Sequence, residues 1–509
     1  MNAVHTKSSI AGTIIRGADR HGDLTLSADV VIIGTGAGGA IAARVLAERG
    51  LSVIALEEGP HITAKEHGAM RPTQSLRNVW RDGGMTFTAP IGDSPVVNVT
   101  MGKVVGGSSM VTGGVCFRTP PEVLHRWRSE RGLAMFTERE LDPHYAAVER
   151  WTNVSEVPTH MRSTAVTRFG EGLERRHSVS LQPLHRNTRD CVGEGRCNFG
   201  CPHQNKLSVD LSVIPPALKS GATVVADAHV ERIVMNGNGT RATSVVGRLG
   251  TRHRFTVHAP RVVVAAGAWH DPVLLSRSGL ATRHLGRHMT LHPSLRMMAR
   301  FKDPVRGWDG ALQSAYTPHF MGEGLTLVSL FIPPGPIASV LPGFGPDFMR
   351  RAGELQNIAI MGCLFHDEGG GRVWSVPGAR EPIVTYQMDK GTRSRLAATV
   401  RKVADIFFAA GAVEAFAPIL QAAPMTPDAL HAFNLEKIPA RRYEASSQHP
   451  LGTCRMGNTP AESVVDPNGR LWGTDNVWVA DGSIVPTSLG VNPQVTVMAM
   501  AHRVASHIR

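Results

Sequence analysis

Three glycines, Gly34, Gly36 and Gly39, stand in the spacing G-x-G-x-x-G. In a strand-to-helix turn the first permits the tight bend, the second lets backbone approach a pyrophosphate, and the third lets the helix pack on the strand. The helix N-terminus then turns unpaired N–H groups and the positive end of its dipole toward the phosphates. Glu57 follows 23 residues after Gly34, where a carboxylate accepts hydrogen bonds from an adenosine ribose. These residues point to a bound dinucleotide; the motif itself leaves FAD and NAD open.

A second glycine-rich stretch, Gly102-Lys103-Val104-Val105-Gly106-Gly107-Ser108-Ser109, makes a loop able to lie flat against a phosphate or heterocycle. Near the C-terminus His449 opens a loop, and Asn492 follows 43 residues later, just before Pro493. A neutral imidazole can take an alcohol's proton during oxidation, and a side-chain amide can orient the hydroxyl. The chain has 23 histidines, so no single one is informative by type alone. Cys191, Cys197 and Cys201, the last followed by Pro202, put three of the six cysteines within eleven residues, among Gly193, Gly195 and Gly200. Three closely spaced thiolates suit an iron–sulfur cluster. Zinc with His203 as a fourth ligand and plain structural thiols are the other readings. Cys116, Cys363 and Cys454 read as buried small apolar residues.

The elements that position these groups follow from apolar patterning. Residues 29–33 form a continuous apolar run, as in a strand buried on both faces of a parallel sheet. An Ala-rich helix over 38–49 and a second strand over 52–56 complete one βαβ unit. Residues 261–267 and 476–480 predict further buried strands, and 494–509 a helix. Residues 358–365, 371–376 and 383–388 read as three strands of a β-meander. A helix follows, with Leu396, Val400, Val403 and Phe407 on one face and Gly411 past its end. The organisation expected is an irregular lead-in (1–28) and a dinucleotide-binding domain (29–290) with a cysteine-rich insertion at about 185–205. A substrate domain (291–440) and a C-terminal return to the first domain (441–509) follow.

Composition narrows the function. With 42% apolar and 19% charged residues in 509, the chain is not disordered, and six cysteines are too few for a disulfide scaffold. The net charge is 54 − 42 = +12. The bases are scattered and aromatics are only 6%, which argues against nucleic acid. The densest basic stretch, 283–306, reads as a solvated face or as a docking face for an acidic partner or substrate. No run of 18 apolar residues occurs, so no transmembrane segment is expected. Residues 1–29 lack the apolar centre of a secretory signal, which predicts a cytoplasmic protein.

Together the motifs resemble the glucose–methanol–choline (GMC) family of flavin oxidoreductases, over nearly the whole chain. Gly267-Ala268-x-x-Asp271-Pro272-x-Leu274-Leu275-x-x-Ser278-Gly279-Leu280 is similar to the family's second signature, which has Ser or Thr at Asp271 and Gly at Ala281. The resemblance implies an α/β fold, with a Rossmann-like FAD-binding domain of GMC type and a second domain of antiparallel β-sheet plus helices. It implies FAD, held at its ADP half by Gly34, Gly36, Gly39 and Glu57. Gly106, Gly107 and Ser108 would lie along the flavin, Val230 would face the adenine, and Asp481 would sit near the ribityl chain. Thr112 replaces a frequent Asn. No His stands at Ser109–Met110, so non-covalent FAD is expected. His449 matches the family's catalytic base and Asn492 its second catalytic position, in the manner of cholesterol and long-chain-alcohol oxidases.

The implied reaction is oxidation of a primary or secondary alcohol by hydride transfer to flavin. The cysteine spacing resembles that of bacterial sugar dehydrogenases carrying a 3Fe-4S cluster, which implies Cys191, Cys197 and Cys201 as its ligands. Electrons would then pass to an acceptor protein or small subunit. Some such relatives are exported with a signal-bearing partner, which leaves a periplasmic location open. An oxygen-using oxidase without a cluster and a flavin-dependent lyase or decarboxylase are the alternatives on this scaffold.

Overall fold

Six short β-branched runs stack as a parallel sheet in the computed structural model, which describes residues 11–338, 340–430 and 433–509. Their order is Ile14–Arg16, Thr223–Ala226, Val53–Leu56, Val30–Ile33, Val262–Val264, Val477–Val479. The last five are buried along most of their length, as strands covered on both faces must be. The helix Ala37–Glu48 leaves Val30–Ile33 through the glycine turn. It packs against the C-terminal helix Gln494–His507, so both ends of the chain build one nucleotide-type domain.

The lead-in is not irregular. Ile14–Arg16 pairs with Thr223–Ala226, and Leu24–Ser27 pairs with His253–His258 at the edge of a four-stranded sheet. Leu24 and Leu26 are buried while Ser27 is exposed, a period of two too short to stand out in sequence. The expected boundary at residue 28 thus falls between two strands, Leu24–Ser27 and Val30–Ile33; residues 1–10 lie outside the described residues.

The second domain is a sheet, antiparallel except for the edge pair Val97–Val99 with Ala445–Ser447, covered by the helix Lys390–Ala409, whose Leu396, Val400, Val403 and Phe407 are buried. Its strand path is Val97–Val99, Ala445–Ser447, Ser294–Arg300, Ile358–Phe365, Leu325–Ser329, Ala315–Thr317, Gln182–Pro183, and Glu414–Phe416 also pairs with Ser294–Arg300. Residues outside 291–440 therefore supply its edges. The three-stranded meander is replaced by a different pairing. Ile358–Phe365, buried at every position, lies between Ser294–Arg300 and Leu325–Ser329. Gly370–Trp374 and Ile383–Gln387 form a separate hairpin with Ala89–Pro90. A strand buried on both faces needs two neighbours, and the half-exposed hairpin cannot supply that environment. Among the described residues no helix is long and apolar enough to cross a membrane.

Candidate active site

A cavity of about 650 Å³ runs between the two domains. The glycine turn forms one wall. Gly34 has φ +100°, and a Cβ there would lie 2.2 Å from the Ala265 carbonyl oxygen, so only glycine fits. Gly36 caps the helix Ala37–Glu48, and Gly39 closes on the Gly34 carbonyl. Gly38, outside the three motif glycines, is equally required: a Cβ would stand 2.0 Å from the Ala480 oxygen. Gly106 and Gly107 bring the second loop onto the first, with the Gly106 N–H donating to Thr35 Oγ1 at 3.1 Å. Ser108 Oγ accepts from the Gly102 N–H at 3.2 Å, which holds the loop closed.

Glu57 is buried at the end of Val53–Leu56. Its Oε2 accepts from the Thr35 N–H at 3.1 Å and hydroxyl at 2.8 Å, and its Oε1 from the Gly59 N–H at 3.0 Å. Burial raises its pKa, and these donors oppose the rise. Val230 borders the same cavity beside His229. Asp481 accepts from the Gly267 N–H at 2.6 Å and the Ser483 N–H at 2.8 Å. Asp271 lies beside it, accepting from the Ala266 N–H and the Ser483 hydroxyl, both at 2.8 Å. Burial, then the neighbouring Asp481, push the Asp271 pKa well up.

His449 and Asn492 meet at the far side of the cavity, with His449 Nε2 3.3 Å from Asn492 Nδ2. The sequence did not single out a third member, His292. Its Nδ1 lies 3.1 Å from His449 Nδ1, and its Nε2 accepts backbone N–H groups of Leu489 at 2.9 Å and Gly490 at 3.2 Å. Two donors on Nε2 exclude a proton there, so neutral His292 carries its proton on Nδ1 and gives it to His449 Nδ1. His449 then holds its own proton on Nε2. Turning the Asn492 amide end for end lets Oδ1, otherwise buried without a partner, accept that proton. Burial pushes His449 down to about 3, so it stays neutral. The expectation that His449 is the base meets a physical obstacle: the nitrogen facing Asn492 already bears a proton. In this arrangement His449 donates a hydrogen bond.

Cys191, Cys197 and Cys201 all border one small cavity of about 20 Å³, in the loop that packs on residues 107–113. Arg186, fully buried, donates to Cys197 Sγ at 2.8 Å and to the Gly113 carbonyl at 2.6 Å. Lys206, also buried, donates to the carbonyls of Ser109, Met110 and Thr112 at 3.1, 2.7 and 3.0 Å. Among the described residues no three His, Cys, Asp or Glu side chains converge as one metal ion requires. His203 pairs instead with exposed Glu194 at 3.0 Å and lies outside the cavity that the three thiols border. Thr112 bonds to Gln494 Oε1 at 3.1 Å.

Residues 28–294 and 375–501 match the N- and C-terminal parts of the GMC oxidoreductase family. An uncharacterized GMC-type oxidoreductase of Mycobacterium tuberculosis is 36% identical over 483 residues, covering 94% of this chain and 75% of that protein. A long-chain-alcohol oxidase of Arabidopsis thaliana is 29% identical, covering 94% and 67%. The crystal structure of pyridoxine 4-oxidase from Mesorbium loti superposes with a TM-score of 0.70 at 19% identity, over 94% of this chain and 98% of that one. The chain is a member of the GMC oxidoreductase family.

Proposed function

We propose that this protein oxidises a CH–OH group to the carbonyl with FAD as the bound, non-covalent acceptor. One observation carries the reading: the glycine cradle and the His449–Asn492 pair open into the same cavity. The cradle fits the cofactor, because Gly36 leaves bare backbone where a pyrophosphate must approach, while Gly34 and Gly38 hold the turn tight against Ala265 and Ala480. Gly34, Gly36, Gly39 and Glu57 would hold the ADP half, Val230 the adenine, and Gly106, Gly107, Ser108 and Asp481 the flavin half. When bound, FAD supplies a two-electron acceptor for hydride.

The substrate hydroxyl oxygen would share the His449 Nε2 proton with Asn492 Oδ1, which also fixes the imidazole. Such a donor favours the alkoxide character that grows as the hydroxyl proton is lost and from which hydride then departs. The hydroxyl proton leaves to water. The long-chain-alcohol oxidase relative supports an alcohol substrate.

The second part of the proposal is a 3Fe-4S cluster on Cys191, Cys197 and Cys201, relaying electrons to an acceptor protein. Three thiols on one cavity, beside buried Arg186 and Lys206, support an anionic centre there. The loop must move outward to admit it, since the present space is about 20 Å³.

Purified protein is expected to be yellow and to release its FAD on acid denaturation; an alcohol panel should bleach it without oxygen. A colourless protein that takes up no FAD overturns the proposal. Iron and sulfide analysis with EPR, on wild type and Cys197→Ser, tests the cluster. Flavin present without iron in anaerobically prepared protein removes it and leaves the oxygen-using oxidase.

A further inference from the structure

Alternation along the strand Ser294–Arg300 buries Leu295 and Met297 in the core and turns Ser294 and Arg296 to the cavity. His292, just before the strand, belongs to the same wall. Arg296 is half-buried and lines the cavity; burial pulls its pKa down, with Glu444 opposing. Among the described residues it makes no hydrogen bond and no ion pair. The next arginine on the strand, Arg300, is by contrast bound to Glu414 at 2.7 Å. A half-buried cation without a partner is left for a ligand to pair, and this one lines the space where substrate must lie.

Room is left beside it. Gly362 is its direct cross-strand partner, and Leu364 faces Ser294. Val328, Leu330 and Leu364 give that part of the cavity apolar walls. Arg296 is four positions along the chain from His292, about 13 Å between Cα atoms in an extended segment. The cofactor phosphates are drawn to the glycine turn on the other sheet, so they do not supply the missing anion.

We infer that Arg296 binds a carboxylate at the far end of the substrate. The substrate class is then a hydroxycarboxylic acid whose hydroxyl and carboxylate lie at opposite ends of an apolar chain. The inference rests on the proposed alcohol oxidation for its hydroxyl end, but the anion site can be tested without turnover.

Octanoate, octanol and octanoate bearing a terminal hydroxyl are titrated calorimetrically into the FAD-loaded protein, as wild type, Arg296→Met and Arg296→Lys. Flavin content and circular dichroism establish that each variant is folded. Both carboxylates should bind wild type at least about tenfold more tightly than octanol. Arg296→Met should lose that factor, and Arg296→Lys should keep part of it. Octanoate binding no more tightly than octanol, or an undiminished preference in Arg296→Met, overturns the assignment. If octanoate binds through Arg296 but no alcohol bleaches the flavin, the anion site stands and the oxidation reading falls.

Discussion

Replacing His292 separates two contacts that the native ring makes at once. A glutamine oxygen reaches the position of Nε2 and accepts from Leu489 and Gly490, but the donor to His449 Nδ1 is lost. An asparagine amide does the opposite: it keeps the donor at Nδ1 and leaves both buried N–H groups without an acceptor. Each orphaned donor costs about 1–3 kcal/mol, so His292→Asn should destabilise by about 2–6 kcal/mol. His292→Gln should cost little stability. It releases the His449 tautomer, however, and removes a hydrogen bond worth about 1 kcal/mol that favours the Nε2 proton, slowing flavin reduction by about fivefold. Urea unfolding and anaerobic stopped-flow bleaching measure the two effects. A His292→Gln protein that reduces flavin at the wild-type rate refutes the tautomer argument, as does a His292→Asn protein of unchanged stability.

Gly38→Ala places a Cβ 2.0 Å from the Ala480 oxygen; backbone must move, and the variant should lose FAD affinity by at least about tenfold, read by fluorescence titration. Glu57→Gln puts an NH2 donor against either the Thr35 or the Gly59 donors in place of one carboxylate oxygen, so stability should fall by about 1–3 kcal/mol in chemical denaturation. Burial holds His67, His144 and His288 at about 4 and His449 at about 3, below the unfolded value near 6.5. Their folded values are depressed, so stability is fully present above about pH 6.5 and declines as pH falls toward about 4. The decline is at most about 5 kcal/mol per pH unit, less because His144 and His288 are partly exposed. Calorimetric melting at several pH values checks the direction; a melting temperature that rises on acidification contradicts it.

What was legible in sequence follows from how strongly local pattern reflects burial. Val30–Ile33, Val53–Leu56 and Val262–Val264 are continuous apolar runs because they are covered on both faces. The edge strands Ile14–Arg16 and Val97–Val99 have three residues each, too few to show a period. His449 and Asn492 were found through motifs, and the fold brings them together. His292 was hidden among 23 histidines, and its role rests on Leu489 and Gly490 arriving from a distant segment. Arg296 was submerged in the basic stretch 283–306. Only the register Arg296–Gly362 separates it from the surface bases around it. Gly38 lies inside the motif but outside its spacing, and the Ala480 carbonyl that demands it follows the strand Val477–Val479, far away in the chain.

The central claim is that an alcohol held at His449 gives its hydride to flavin in the shared cavity. Mixing FAD-loaded protein with a panel of primary alcohols and terminal hydroxyacids, without oxygen, tests it in one step. The account predicts flavin bleaching matched one-for-one by carbonyl product, slowed by about 100-fold or more in His449→Ala. Flavin that stays oxidised with every member of the panel, or bleaches equally fast without the imidazole, contradicts it.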